Sequence, residues 1–207
     1  MPPVKIGVLI SGGGTNLQSI IDNIKDGNIN GEIKLIISNK EEAYGLTRGK
    51  DAGIESIFIG RKAFDSEEEY NLRLINEFKK RDIELIVLAG YLKVLSKSFI
   101  HEFKERIINI HPSLIPSFCG KGYYGERVHG EVLSYGVKFT GATVHFVDEG
   151  TDTGPIILQK VVEVDSKDTI DTLKEKVLKV EHEILVQGVK LYCENRLYIE
   201  GRKVIIN

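Results

Sequence analysis

Cysteine is nearly absent from the 207-residue chain: there are two, Cys119 and Cys193, in dissimilar surroundings. Two thiols cannot build a disulfide framework, which excludes a small cross-linked secreted scaffold and leaves reduced cytosolic thiols as the simpler reading. Neither sign of charge is in excess. The 28 Lys+Arg against 30 Asp+Glu leave a formal net charge of −2, so the basic excess that marks a nucleic-acid binder is missing. No apolar run approaches the roughly 20 residues needed to cross a bilayer. The opening Met-Pro-Pro-Val-Lys-Ile-Gly lacks the charged, apolar and cleavage regions of a signal peptide. Also absent are a Cys pair or His-Glu-x-x-His for a metal, a Gly-Lys-Ser/Thr P-loop and a Gly-x-Ser-x-Gly elbow. A cytoplasmic globular protein is left, with 42% hydrophobic residues and enough length to bury most of its apolar surface without a staple.

What is present is an alternation of short β-branched runs with longer amphipathic stretches. Lys5–Ser11, Glu32–Ser38, Ser56–Ile59, Leu85–Ala89 and Ile107–Ile110 read as strands; the first ends abruptly at Gly12-Gly13-Gly14, as a buried parallel strand would. Between them, helices are expected from Thr15 or Asn16 as cap to Lys25, over Ala43–Ala52, from Ser66 to about Arg81 with the capping-box residue Glu69, and from Ser96 to Phe103. The second half changes character. His111–Tyr124 is a long irregular stretch, followed by a helix over Glu126–Tyr135, strands at Ala142–Asp148 and Ile156–Val164, a long helix over Thr169–Tyr192 and a hairpin around Gly201. The expectation is one α/β domain over 1–207, a mostly parallel twisted sheet with helices on both faces and a C-terminal long helix and hairpin.

Three segments carry chemistry. Ser11-Gly-Gly-Gly-Thr-Asn16 joins a strand to a helix, where glycines permit a tight turn and the free N–H groups attract an anion. An ordinary Gly-rich turn is an equal alternative from these residues alone. The dinucleotide fingerprint fails, because Leu17 stands where its third glycine belongs and the second strand ends in Ser-Asn-Lys rather than in an acid. In Asn109-Ile110-His111, alternation sends Asn109 and His111 to one face at the carboxyl end of a strand, where open α/β sheets bind ligands. Asn can donate to a developing oxyanion, and His can move a proton near neutrality. The turn Asp148–Pro155 supplies a carboxylate, Asp152, that Gly150 and Gly154 allow to be aimed at an imidazole, while Asp148 and Glu149 read as solvated turn acids. Of the other histidines, His101 and His129 read as surface residues, His145 as a satisfied core residue, and His182 as facing either a cleft or solvent.

Taken together, the Gly-rich turn with Asn16, LAGYLKVLS (88–96), NIHPSLIPSF (109–118), GATVHFVDEGTDTGPII (141–157) and Glu181-His182 resemble the phosphoribosylglycinamide formyltransferases, folate-dependent enzymes of purine biosynthesis. The Asn-x-His-Pro-Ser core by itself marks only the wider superfamily. Methionyl-tRNA formyltransferase carries a further C-terminal domain and formyltetrahydrofolate deformylase an N-terminal one, and neither fits 207 residues. The resemblance implies a Rossmann-like formyltransferase fold, with a phosphoribosyl-substrate half over 1–100 and a catalytic and folate-binding half over 101–207. It implies Asn109, His111 and Asp152 as catalytic residues, and Gly14, Thr15, Asn16 and Glu181 for glycinamide ribonucleotide, the acid holding the ribose hydroxyls. Leu92, Lys93, Val94 and Leu95, with Asn109 and the 148–152 turn, would receive 10-formyltetrahydrofolate as co-substrate.

Neither metal nor NAD is implied, nor a nucleic-acid or membrane partner, and the state is monomer or homodimer. Two positions depart from the family pattern. Glu67 stands where an Arg contacts the folate, leaving Arg61 or Lys62 to replace it, and Phe118–Tyr124 differs from the usual Pro-Gly loop. Two rivals frame the reading: a nucleotide-dependent oxidoreductase, which the missing glycine and acid disfavour, and a non-catalytic phosphosugar-binding module, which gives Asn109, His111 and Asp152 no reason to share a cleft.

Overall fold

The computed structural model describes residues 2–207. The chain gathers into two compact units, one ending at Ile108 and the other starting at Asn109, so the division falls inside a strand. In the first unit, β1 (Val4–Ile10), β2 (Gly31–Ser38), β3 (Ser56–Phe58) and β4 (Leu85–Leu88) lie in the order β3-β2-β1-β4, and every pairing among them is parallel. The apolar runs bury completely: Val8, Leu9, Ile10, Ile36, Ile37, Ile86 and Val87 have no exposed surface, as parallel strands covered by helices require.

The connecting helices are α1 (Thr15–Lys25), α2 (Tyr44–Asp51), α3 (Glu67–Lys79) and α4 (Lys97–Glu102). Ser66 and Ser96 cap α3 and α4 as their positions predict, each side-chain oxygen accepting an N–H, from Glu69 at 3.0 Å and from Phe99 at 3.2 Å. The capping box at α3 is displaced by one residue, since the Glu69 carboxylate accepts from the Asp65 N–H and not from the cap residue. Phe78 packs edge-on against Phe99 and Phe103 at about 6 Å between ring centroids.

The second unit opens with the last residues of β5 (Ile107–His111) and holds strands in the order β5-β6-β7-β9-β8. Here β6 (Phe139–Phe146) runs antiparallel to β7 (Ile156–Glu163), β7 runs parallel to β9 (Lys203–Ile206), and β9 closes an antiparallel hairpin with β8 (Leu197–Glu200). β6 starts three residues before the expected Ala142, because Phe139 and Thr140 already pair with Glu163 and Val162. It stops at Phe146, whose N–H donates to the Pro155 carbonyl and so closes the turn. α5 (Glu126–Tyr135) packs on α6 (Ile170–Cys193), which in turn covers β6 and β7. Thr169 caps α6 in a reciprocal box with Thr172. The fold is the expected α/β class, with a mostly parallel sheet and a long C-terminal helix followed by a hairpin.

Candidate active site

The second unit gathers four polar side chains that sequence separates by up to 43 residues. Asn109 and His111 leave β5 on one side, with Ile110 buried between them. The Asn109 Nδ2 lies 3.1 Å from His145 Nε2. On its other side the His145 ring has Nδ1 at 2.8 Å from the Phe146 carbonyl, an acceptor only, so Nδ1 carries the hydrogen and Nε2 accepts from the Asn109 amide. Burial drives the His145 pKa down and keeps the ring neutral, which suits that acceptor role. His145 is thus buried and satisfied as expected for a core residue, but its partner is the candidate catalytic amide. Period two places it on the same side of β6 as Thr143. Thr143 Oγ1 donates to the Ser113 carbonyl at 2.7 Å and accepts from the Ile115 N–H at 3.1 Å, fastening the chain just after His111.

His111 is 4% exposed and sits between two oxygens. Its Nε2 is 3.0 Å from the Phe118 carbonyl, and its Nδ1 is 3.5 Å from Asp152 Oδ2. Asp152 Oδ1 lies 3.8 Å from His145 Nε2, and Oδ2 accepts the Gly120 N–H at 2.9 Å. One carboxylate therefore faces both imidazoles and ties down the loop after Phe118. Aiming it takes an unusual backbone: Asp152 itself adopts φ +58°, a left-handed conformation that Asp tolerates better than most residues. The flanking glycine acts through space, since a Cβ on Gly154 would lie 1.8 Å from the Phe146 carbonyl oxygen. Asp148 is a turn-former, its Oδ1 accepting from the Gly150 N–H and the Thr153 hydroxyl.

The other candidate residues fall as follows. Gly14, Thr15 and Asn16 begin α1, but the cap is Gly14 at φ +70°, and neither Thr15 nor Asn16 takes that place. Only glycine fits there, because a Cβ would stand 2.7 Å from the Gly45 Cα. In the same unit, Leu92, Lys93 and Val94 are exposed and Leu95 is buried. The Leu92 N–H donates to Ser11 Oγ at 2.8 Å, and that hydroxyl donates to Asn39 Oδ1 at 2.6 Å. Glu181 is buried on α6 of the second unit. Arg61, one of two cations expected to compensate for Glu67, forms an ion pair with Glu67 itself at 2.8 Å. His101 is exposed as expected, whereas His129 is not a surface residue: it is 3% exposed, and burial pushes its pKa down to about 4. The half-buried His182 is likewise shifted down by burial.

Two imidazoles facing one carboxylate, with an amide bonded to one of them at the end of a strand in an α/β fold, bring together hydrogen-bond donors and groups able to move a proton. The chain belongs to the formyl transferase family, whose model matches residues 4–189. Among its relatives, phosphoribosylglycinamide formyltransferase of Escherichia coli is 39% identical over 194 residues, covering 94% of this chain and 89% of that protein. The chloroplastic enzyme of that name from Vigna unguiculata is also 39% identical, over 93% of this chain. This chain spans 62% of the Vigna protein's length. The crystal structure of glycinamide ribonucleotide transformylase 1 from Symbiobacterium toebii superposes with a TM-score of 0.94 at 41% identity, covering 99% of this chain and 94% of that one.

Proposed function

We propose that this protein transfers the formyl group of 10-formyltetrahydrofolate to the amine of glycinamide ribonucleotide, the phosphoribosylglycinamide formyltransferase step of purine biosynthesis, in the cytoplasm. The observation that carries the reading is the cluster of Asn109, His111, His145 and Asp152, and the names of the relatives support it. The first unit is assigned the phosphate, at Gly14-Thr15-Asn16, and the pterin, against Leu92-Lys93-Val94-Leu95, largely through their backbone groups. Glu181 is assigned the ribose hydroxyls. With Arg61 paired to Glu67, the folate's glutamate tail is assigned to Lys62.

The chemistry follows from the cluster. The glycinamide nitrogen bonds to the formyl carbon, and the carbonyl π pair moves onto oxygen. One Asn109 amide hydrogen is engaged by His145, which orients the second toward that oxyanion. The Phe118 carbonyl holds the Nε2 hydrogen of His111, so the ring donates from Nδ1 only as the imidazolium, whose charge the Asp152 carboxylate at 3.5 Å balances. Collapse breaks the bond from carbon to the folate nitrogen, which takes a proton through water ordered by Asp152. The attacking nitrogen gives up its proton by the same route. No covalent enzyme intermediate forms.

Purified protein given glycinamide ribonucleotide and 10-formyltetrahydrofolate is expected to yield the N-formyl product and tetrahydrofolate in equal amounts. Failure to form either, with sugar-nucleotide amines accepted in parallel assays, would move the protein to another branch of the family.

A further inference from the structure

The glycine turn carries a feature that the phosphate reading, on which this inference rests, does not require. Each carbonyl of the turn is held by a donor. Gly12 O accepts from the Gly45 N–H at 3.0 Å, Gly13 O from Arg48 Nε at 2.8 Å, and Gly14 O from the Gln18 N–H at 2.9 Å. In a trans peptide the C=O and the following N–H point in opposite directions. Fixing the Gly12 and Gly13 oxygens toward α2 therefore turns the Gly13 and Gly14 N–H groups to the opposite side.

Arg48 is itself well placed to do this. Its Nη1 donates to Gln18 Oε1 at 3.1 Å and its guanidinium lies 4.9 Å from the Tyr44 ring centroid. These partners, like the Gly13 carbonyl, are all uncharged, so the cation behind the turn keeps its charge. The start of α1 has no side-chain cap and no acid in its first turn, so its positive end adds to the same field.

We propose that Arg48 is the positioning residue that makes this turn select a phosphate monoester. It does not touch the substrate; by holding the Gly13 carbonyl it aims the Gly14 N–H, and it supplies the positive field that a dianion needs.

The test compares two substrates and one fragment. Arg48→Met is expected to raise the KM for glycinamide ribonucleotide about 10–100-fold and to weaken ribose 5-phosphate binding, measured calorimetrically, by a similar factor. Formyl transfer to the dephosphorylated riboside and the KM for 10-formyltetrahydrofolate should move by less than about twofold, and Arg48→Lys should recover part of the loss. Lys50→Met, which removes an exposed cation of the same helix, serves as the control for net charge and should leave ribose 5-phosphate binding unchanged. Equal losses on nucleotide and riboside, no loss on either, or an equal loss from Lys50→Met would overturn the proposal. If Arg48→Met does not fold by circular dichroism, Arg48→Lys carries the same comparison. Arg48-dependent ribose 5-phosphate binding without formyl transfer by the parent protein would refute the proposed function and leave this role standing.

Discussion

In the first unit, the groups assigned to substrate are largely main-chain ones: the N–H groups of a glycine turn and the backbone of 92–95. In the second they are side chains, and Asn109, His111 and Asp152 are held by other side chains or by loop backbone groups. The buried ionisable groups differ in the same way. The first unit buries Tyr70 and Tyr91, hydroxyl to hydroxyl at 2.6 Å, with pKa values that burial raises, so they stay neutral throughout the physiological range. The second buries His129 and His145, whose pKa values burial lowers, so acid charges them only at the expense of the fold. A backbone site depends on conformation and is damaged through shape. A side-chain site depends on identity and is damaged through a single atom.

Substitutions can break that comparison. Asn109→Ala removes the proposed oxyanion donor and should lower kcat about 10²–10³-fold, equivalent to about 2.7–4 kcal/mol, with little change in KM; an effect confined to KM would remove Asn109 from the chemistry. Gly14→Ala places a Cβ against the Gly45 backbone at φ +70° and should reduce stability by about 1–3 kcal/mol while raising the KM for the nucleotide. A purely kcat effect would show that the first unit does more than bind.

Acid sharpens the contrast between the units. The His129 pKa is about 4 folded, against an ordinary 6.5 unfolded. The unfolded chain therefore takes up more protons below about pH 6.5, and stability falls as pH drops from there toward 4. At pH 5 the loss from this residue should be about 2 kcal/mol relative to pH 7, measured by urea unfolding, and His129→Gln should abolish that part of the slope. The smallest effect is expected for His145→Ala. It leaves Asn109 in place but without its orienting acceptor, so kcat should fall about tenfold, and the double variant with Asn109→Ala should be no worse than Asn109→Ala alone.

Much of this was legible in the sequence because it is local. Apolar runs ended by glycine became buried parallel strands, and Ser66 and Ser96 capped the helices they precede. Asn109 and His111 shared a face because strands alternate. Contacts set across the fold were hidden. The cap of α1 falls on Gly14 because of Gly45, 31 residues on. His129 reads as a surface residue among charged neighbours, yet its side of α5 is buried with Val128 and Val132. His145 shows its importance only through Asn109, 36 positions back, and the ion pair of Arg61 with Glu67 cannot be read from their spacing alone.

The tethering of His111 to the Phe118 carbonyl and of Asp152 to the Gly120 N–H has an implication for engineering. Both candidate catalytic side chains take their bearings from one stretch of main chain, so the number of residues between 111 and 120 sets how ring and carboxylate meet. Adding or deleting one there would misdirect ring and carboxylate together, with every functional side chain still present. Grafting of loops onto this site therefore has to keep the spacing from 111 to 120 fixed.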